Sequence, residues 1–337
     1  MKGQALALNE LDVIDRFLRP LAGEGAFGLF DDAARLTPSP GTELVLTTDM
    51  IAAGIHFLPD DPPFTIAQKA LRVNISDLAA KGADPVGYLM SLALSPDLDS
   101  GWLEAFCLGL AADQAAFGID LLGGDTISIR QGPVVSITAI GAVPAGGMVH
   151  RFGGRPGDVL FVSGAIGAAR AGLALLTGER GPWDSIPAGA RDGLVARYRV
   201  PEPRLGLAEA VRSHASAAMD VSDGLVGDCD KMVASTGCSA RLDGDRVPVD
   251  AALAGLAEDD RVFAALVSGG DDYEILAAVP PDAVPAFVAA AGEAGIAVSR
   301  IGALVEGAGP VTIERNGRIL DLRARAYVHG GQGERHV

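Results

Sequence analysis

Residues 69–85 read Lys-Ala-Leu-Arg-Val-Asn-Ile-Ser-Asp-Leu-Ala-Ala-Lys-Gly-Ala-Asp-Pro. Ala and Leu dominate the stretch, and Gly82 followed by Pro85 is a stop signal, so a helix is expected here. At about 100° per residue, Leu71, Ile75 and Leu78 fall on one narrow stripe. Asn74, Asp77 and Lys81 fall on a second, about a quarter turn away. One edge of the helix is therefore core, and the adjoining edge carries an amide, a carboxylate and an ammonium. That polar edge is either a solvated face with an Asp77–Lys81 pair worth roughly 0.2–0.5 kcal/mol, or part of a site. The other Asp-bearing motifs favour the site.

Around this helix, apolar strand-like runs alternate with helical ones. A short amphipathic helix is expected over 11–21, a strand over 43–49, and a loop over 50–57 carrying Gly54 and His56. A strand over 86–94 and an Asp-capped helix over 102–117 follow. Leu121-Leu122 then breaks into Gly123-Gly124-Asp125-Thr126, where the glycines would let a ligand approach the backbone closely. A strand over 134–143 precedes Pro144-Ala145-Gly146-Gly147, which reads as a domain linker. The second half offers a strand over 157–164, a helix over 167–176 and a Gly/Pro-rich surface loop over 178–188. Asp220-Val221-Ser222-Asp223-Gly224 leads into a helix over 225–234, and Gly269-Gly270-Asp271-Asp272 feeds a strand ending at Val279. The class is α/β (α+β), with two α/β domains, 1–144 and 145–337. Thr48-Asp49 and Gly124-Asp125 rhyme weakly with Ser222-Asp223 and Gly270-Asp271, which raises the expectation of a duplicated domain.

The 43 acids against 27 bases give a net charge of −16, which disfavours nucleic acid as a partner. No run of about 18 apolar residues occurs, so no membrane partner is expected. The N terminus turns acidic too early for a signal peptide. Cys107, Cys229 and Cys238 form no Cys-x-x-Cys pair, which argues against a disulfide framework or a zinc site and points to the cytoplasm. The lysines are Lys2, Lys69, Lys81 and Lys231, none of them in a Walker-type P-loop. An EF-hand beginning at Asp220 would need a bidentate Glu where Lys231 stands, so that reading fails. Gly269-Gly270-Asp271-Asp272-Tyr273 looks like the signature of diguanylate cyclases, but that reading leaves the first-half acidic motifs unexplained.

Asp32, Asp49, Asp77, Asp125, Asp220, Asp223 and Asp271 all sit within two residues of Gly, Ser, Thr or another Asp, mostly where strand ends or turns are expected. Each alone is an ordinary turn residue or cap. Carboxylates crowded into one cleft repel one another unless cations neutralise them. Mg²⁺ suits hard oxygen ligands and commonly binds one or two carboxylates together with substrate phosphates. The residues thus point to a Mg²⁺-bridged phosphate site.

Assembled in order, these motifs resemble the thiamine-monophosphate kinase family. The resemblance runs from about Asp12 to Tyr327, through Asp31-Asp32-Ala33, Thr47-Thr48-Asp49, Gly54-Ile55-His56-Phe57, Asn74-Ile75-Ser76-Asp77-Leu78, Gly123-Gly124-Asp125-Thr126, Asp220-Val221-Ser222-Asp223-Gly224-Leu225 and Gly269-Gly270-Asp271-Asp272-Tyr273-Glu274. It implies an N-terminal domain that pairs across a homodimer interface, a C-terminal domain completing the ATP site, and transfer of phosphate from ATP to thiamine monophosphate. It implies several Mg²⁺ ions held by Asp32, Thr47, Thr48, Asp49, Asp77, Asp125, Asp220 and Asp223, of which Asp49, Asp77, Asp125 and Asp223 are the expected catalytic carboxylates. Gly124, Asp125, Arg151 and Ser222 are expected to contact ATP, and His56 and Asp271 the thiamine phosphate. Phe30 departs from the Gly usual before the Asp pair, and Leu322 and Tyr327 fall near the place of a substrate-contacting aromatic. Within the same superfamily, an enzyme resembling aminoimidazole-ribonucleotide synthetase is the alternative. A non-catalytic Mg·ATP sensor is the alternative outside the enzymes.

Overall fold

The computed structural model describes residues 9–322 and 324–327. Two compact units account for them, one of residues 9–78 and 84–146, the other of residues 79–83 and 147–327. Both are mixed α/β, each built on its own sheet. Among the described residues no helix is long and apolar enough to cross a membrane.

The first unit opens with α1 (Glu10–Val13), which continues through a π-helical turn, Ile14–Leu18, and a tight turn, Arg19–Leu21, to give the helical stretch expected over 11–21. Its sheet comprises β1 (Thr42–Ala52), β2 (Asp84–Leu94), β3 (Asp120–Ser128) and β4 (Val134–Pro144), in the order β1-β4-β2-β3. Strand β4 runs antiparallel to its neighbours β1 and β2, and β2 pairs with β3 in parallel. Helices α2 (Pro63–Ala80) and α3 (Ser100–Phe117) pack on one face of it. The hydrogen bond from Asp49 N to Asn74 Oδ1 (3.0 Å) ties α2 to β1, and that from Gln114 Nε2 to Tyr88 Oη (3.3 Å) ties α3 to β2. The two helices are locked together by the fully buried Asp113, which accepts from Gln68 (2.8 Å) and bidentately from Arg72 (2.7 and 2.8 Å). A buried carboxylate persists because its partners replace the lost water.

Helix α2 ends at Ala80, and Gly82, at φ 71°, turns the chain out as the stop signal requires. Strand β1 runs three residues beyond the expected end at Asp49, because its ladder with β4 continues to Ala52 opposite Val134. Asp49 therefore lies inside a strand.

The second unit carries β5 (Val159–Ser163), β6 (Ala217–Val221), β7 (Ser239–Asp243), β8 (Glu274–Val279), β9 (Val298–Val305), β10 (Thr312–Arg315) and β11 (Arg318–Ile319). Their order is β11-β10-β7-β9-β5-β8-β6. Its helices are α4 (Ala168–Thr177), α5 (Ala188–Arg199), α6 (Ala208–His214), α7 (Leu225–Thr236), α8 (Asp260–Val267) and α9 (Val284–Glu293). Strands β5, β6 and β8 are buried along their whole length. Leu160, Val162, Leu276 and Ala278 enter one core with α4, α7 and α8, while Val159, Phe161, Ile275 and Ala277 enter another with α6 and α9. Burial on both faces explains the apolar runs 159–162 and 275–279, while β6 carries the buried Asp220 within its run.

Two expectations are overturned here. The sheets differ in strand number and order, and Thr48-Asp49 lies within β1 whereas Ser222-Asp223 follows the end of β6, so the halves are not a duplicated domain. The 178–188 segment is not a bare surface loop. Trp183 and Ile186 are buried, Trp183 Nε1 donates to Glu179 Oε1 (3.1 Å), and the Arg170 guanidinium lies 4.9 Å from the Trp183 ring centroid. The Gly and Pro residues gave a surface signal that two large apolar side chains outweigh.

Candidate active site

The sequence-expected residues gather into three groups. The first lies where β1 meets α2. Thr47 Oγ1 donates to Asp77 Oδ2, and Asn74, fully buried, accepts from Asp49 N while its own Nδ2 donates to Ala70 O (3.0 Å). The polar edge of α2 thus faces a strand and is not a solvated surface. Thr47, Asp49 and Asp77 are all half-buried. His56 follows β1 in a tight turn. Its Nδ1 accepts from Ala52 N (3.2 Å), which leaves the neutral ring's proton on Nε2, and its carbonyl accepts from the buried Lys69 Nζ (2.8 Å). Thr48 points to the opposite, open face of the sheet, where its Oγ1 meets that of Thr138 at 3.0 Å.

The second group lines a cleft of about 540 Å³ that includes Asp31, Asp32, Gly123, Gly124, Asp125 and Thr126. Asp32 and Asp125 are both exposed. The Asp32 loop is unusual: Phe27, Leu29 and Asp32 have φ of 50°, 61° and 52°. Left-handed backbone at bulky residues is costly and needs external support. Arg19 provides it, with Nε donating to Gly28 O (2.8 Å), the guanidinium over the Phe30 ring (3.8 Å), and an ion pair to Asp15 (2.7 Å). Phe30, where the family resemblance expects Gly, is thus the platform on which that brace rests.

The third group lies where the neighbouring strands β6 and β8 meet their loops. Asp220 is buried within β6. Asp271 N donates to Ser222 O and Tyr273 N to Val221 O, both at 2.8 Å, which binds the two loops together. Asp271 and Tyr273 adopt φ of 69° and 51°. Asp271 is half-buried, and Tyr327 N donates to Asp223 O (2.9 Å). Arg151 is exposed in the turn ahead of β5, and Leu322 is half-buried beside the core that includes Leu242 and Ile313.

Residues 30–143 match the family described as AIR synthase related protein, N-terminal domain, and residues 155–314 its C-terminal domain. A thiamine-monophosphate kinase of Caulobacter vibrioides is 43% identical over 96% of this chain and 91% of its own length. The chain belongs to the thiamine-monophosphate kinase family. The crystal structure of such a kinase from Stenotrophomonas maltophilia superposes with a TM-score of 0.80 at 34% identity, covering 93% of this chain and 98% of that one. AaThiL complexed with AMPPCP and TMP superposes with a TM-score of 0.74 at 28% identity, covering 90% of this chain and 97% of that one.

For a member of this family, the donor set is chemically apt for Mg²⁺: carboxylates and hydroxyls throughout, with no thiolate. Within the cleft, Thr126 Oγ1 is a buried hydroxyl oxygen without a hydrogen-bond partner among the described residues, so a polar group is fitting there. Among the described residues, no three His, Cys, Asp or Glu side chains converge to hold a metal by themselves. A Mg²⁺ held by one or two carboxylates needs the remaining oxygens from phosphate and water.

Two of the glycines also serve packing. A Cβ on Gly124 would lie 1.7 Å from Met90 O, and one on Gly270 would lie 2.5 Å from Ser222 O. Both are glycine because the neighbouring backbone occupies that space.

Sequence reasoning missed the two side chains that shape the Asp223 loop. Asp228 on α7 is fully buried, and its Oδ2 accepts from both Ser222 N and Asp223 N at 2.9 Å. Its Oδ1 accepts from Lys231 Nζ (2.6 Å), and Lys231 also pairs with Asp223. Burial pushes the Asp228 carboxyl above its ordinary range, against the opposing pull of Lys231. Burial also opposes the Lys231 charge, but its hydrogen bonds to Asp223 and Asp228 win and raise the ammonium above its usual value. The i, i+3 spacing of Asp228 and Lys231 just after Asp-Gly-Leu was the available signal. Glu274 was missed as well. Fully buried, it accepts from Ser163 Oγ (2.6 Å), from Arg197 (3.1 Å) and from Arg204 through two nitrogens (2.7 and 2.5 Å), anchoring the start of β8.

Proposed function

We infer that this protein transfers the γ-phosphoryl group of ATP to thiamine monophosphate, giving ADP and thiamine diphosphate. The observation that carries the reading is the 43% identity to a thiamine-monophosphate kinase over nearly all of both chains. The similar fold of AaThiL, complexed with AMPPCP and TMP, adds to it. ATP is the co-substrate. Asp32, Thr47, Thr48, Asp49, Asp77, Asp125, Asp220 and Asp223 are the proposed Mg²⁺ ligands. Asp49, Asp77, Asp125 and Asp223 serve as the carboxylates nearest the transfer. Gly124, Asp125, Arg151 and Ser222 contact the nucleotide, and His56 and Asp271 the acceptor.

Bound there, Mg²⁺ supplies the positive charge that lets two polyanions approach each other. The chain's own residues supply position. Asn74 fixes the backbone at Asp49, Thr47 fixes the Asp77 carboxylate, and Asp228 fixes the loop carrying Ser222 and Asp223. His56 Nε2–H can donate to an acceptor phosphate oxygen. An ADP-release assay with thiamine monophosphate, formylglycinamidine ribonucleotide and selenide as parallel acceptors tests the reaction. Turnover is expected with thiamine monophosphate alone. Turnover with formylglycinamidine ribonucleotide instead would move the chain to the synthetase reading.

The first unit also supports a homodimer. Asp49 lies on edge strand β1 and Gly124 on edge strand β3, in one cross-sheet row through Ile137 and Met90. Three interstrand steps separate them by about 14 Å. Asp49 is on the helix-covered face, whereas Asp125 and Thr48 are on the open one. The open face exposes Leu46 (63%), Met50 (59%), Leu89 (40%) and Ile127 (55%), an apolar surface that a second copy of the sheet would cover. Pairing would bring Asp32 and Asp125 of one chain toward the β1 edge of the other. Met50→Glu, which buries a charge in that contact, is expected to shift the mass in light scattering to that of a monomer. A wild-type chain that is already monomeric at micromolar concentration would overturn the pairing.

A further inference from the structure

Lys231 is a cation in the place where a divalent ion is expected. Its ammonium contacts Asp223, one of the carboxylates assigned above to Mg²⁺, and Asp228 Oδ1 holds it at 2.6 Å. The other lysines among the described residues, Lys69 and Lys81, donate to backbone carbonyls, of His56 and Ala218. Lys231 is engaged by carboxylates, sits on α7, and its side chain is about two-fifths exposed to solvent. Asp228 meanwhile has two jobs, since Oδ2 shapes the Ser222–Asp223 backbone while Oδ1 steadies the ammonium.

We propose that Lys231 is the resident counter-cation of Asp223 in the metal-free protein, and that a divalent ion must displace it to reach that carboxylate. A lysine suits this role better than an arginine, being a point charge on a flexible stem without a planar fork to lock it in place. Without the placeholder, Asp223 and the buried Asp228 would keep their negative charges with no cation between them, a cost to the folded state. With it, the loop keeps one geometry whether the metal is present or absent, and the metal affinity is lowered by the competition. This rests on the assignment of Asp223 as a metal ligand.

The test is Mn²⁺ binding to the full chain without nucleotide, by electron paramagnetic resonance titration, because Mn²⁺ takes the same hard oxygen ligands as Mg²⁺. Lys231→Met keeps the stem and removes the charge, and it is expected to bind Mn²⁺ about tenfold more tightly, equivalent to about 1.4 kcal/mol. Lys231→Arg, which keeps the charge, is expected to stay close to wild type or below it. Asp223→Asn should weaken binding in either background. Unchanged or weaker affinity in Lys231→Met, with Asp223→Asn still weakened, overturns the placeholder alone. Affinity unaffected by Asp223→Asn overturns the metal assignment beneath it. Should Lys231→Met fail to fold by circular dichroism, Lys231→Gln, which retains a donor toward Asp228, carries the same expectation.

Discussion

Asp77→Asn is expected to lower kcat/KM by on the order of a hundredfold or more while the unliganded protein melts close to wild type. The two halves of that expectation have different origins. Stability should survive because the Thr47 hydroxyl donates to Asp77, and an amide oxygen in the same place accepts that hydrogen bond equally well. Asp77 is half-buried at the polar edge of α2 and contributes nothing to the Leu71, Ile75 and Leu78 stripe, each of which is fully buried. Activity should fail because an amide has no charge with which to hold Mg²⁺ between two polyanionic substrates. Steady-state kinetics at saturating Mg²⁺ beside a thermal melt separates the two. Near-wild-type turnover would remove Asp77 from the metal set. A large drop in melting temperature without loss of turnover would make it a structural cap.

How much of this was legible in the sequence depended on the range of the interaction. The α2 helix was readable because its signals are local: Ala and Leu content, a 3.6-residue stripe, and Gly82 as a stop. That its polar edge faces β1 was not, since the hydrogen bond from Asp49 N to Asn74 spans 25 positions and nothing nearby in the chain encodes it. Asp49 was expected at a strand end for the same reason, because the ladder partners that carry β1 on to Ala52 come from β4. Gly124 was noticed for the approach of a ligand, and the fold adds a second constraint, the Met90 carbonyl of β2 where a Cβ would lie. Asp228 and Lys231 went unread because an acid and a base three apart on a helix ordinarily signify a solvated pair. Only burial distinguishes this case, in which Asp228 is sealed beneath the loop it supports. Motifs thus nominated the candidate site, while the side chains that hold the motifs in place emerged only from packing.

Thiamine offered in place of its monophosphate is expected to be phosphorylated at least about a hundredfold less efficiently. The ground is the chemistry of the nucleophile. A phosphate monoester has a second pKa of about 6 and is largely dianionic at pH 7, so its oxygen is ready to attack without a base. A free hydroxyl must lose a proton, and the His56 ring offers the acceptor an N–H donor and not a base. His56 presents Nε2–H as a donor, its Nδ1 being engaged by Ala52 N, and so suits a phosphate oxygen as partner. The hydroxyl substrate also lacks the charge through which the Asp32, Asp49 and Asp77 metal sites would align the acceptor, and a misplacement of even about 1 Å costs on the order of a hundredfold in rate. His56→Ala should accordingly raise the KM for thiamine monophosphate, with the KM for ATP little changed. Coupled ADP-release kinetics with both acceptors decides the matter. Equal efficiency with thiamine would mean that a base exists, and it would redirect the search to the carboxylates around Asp271, on the loop bound to Ser222.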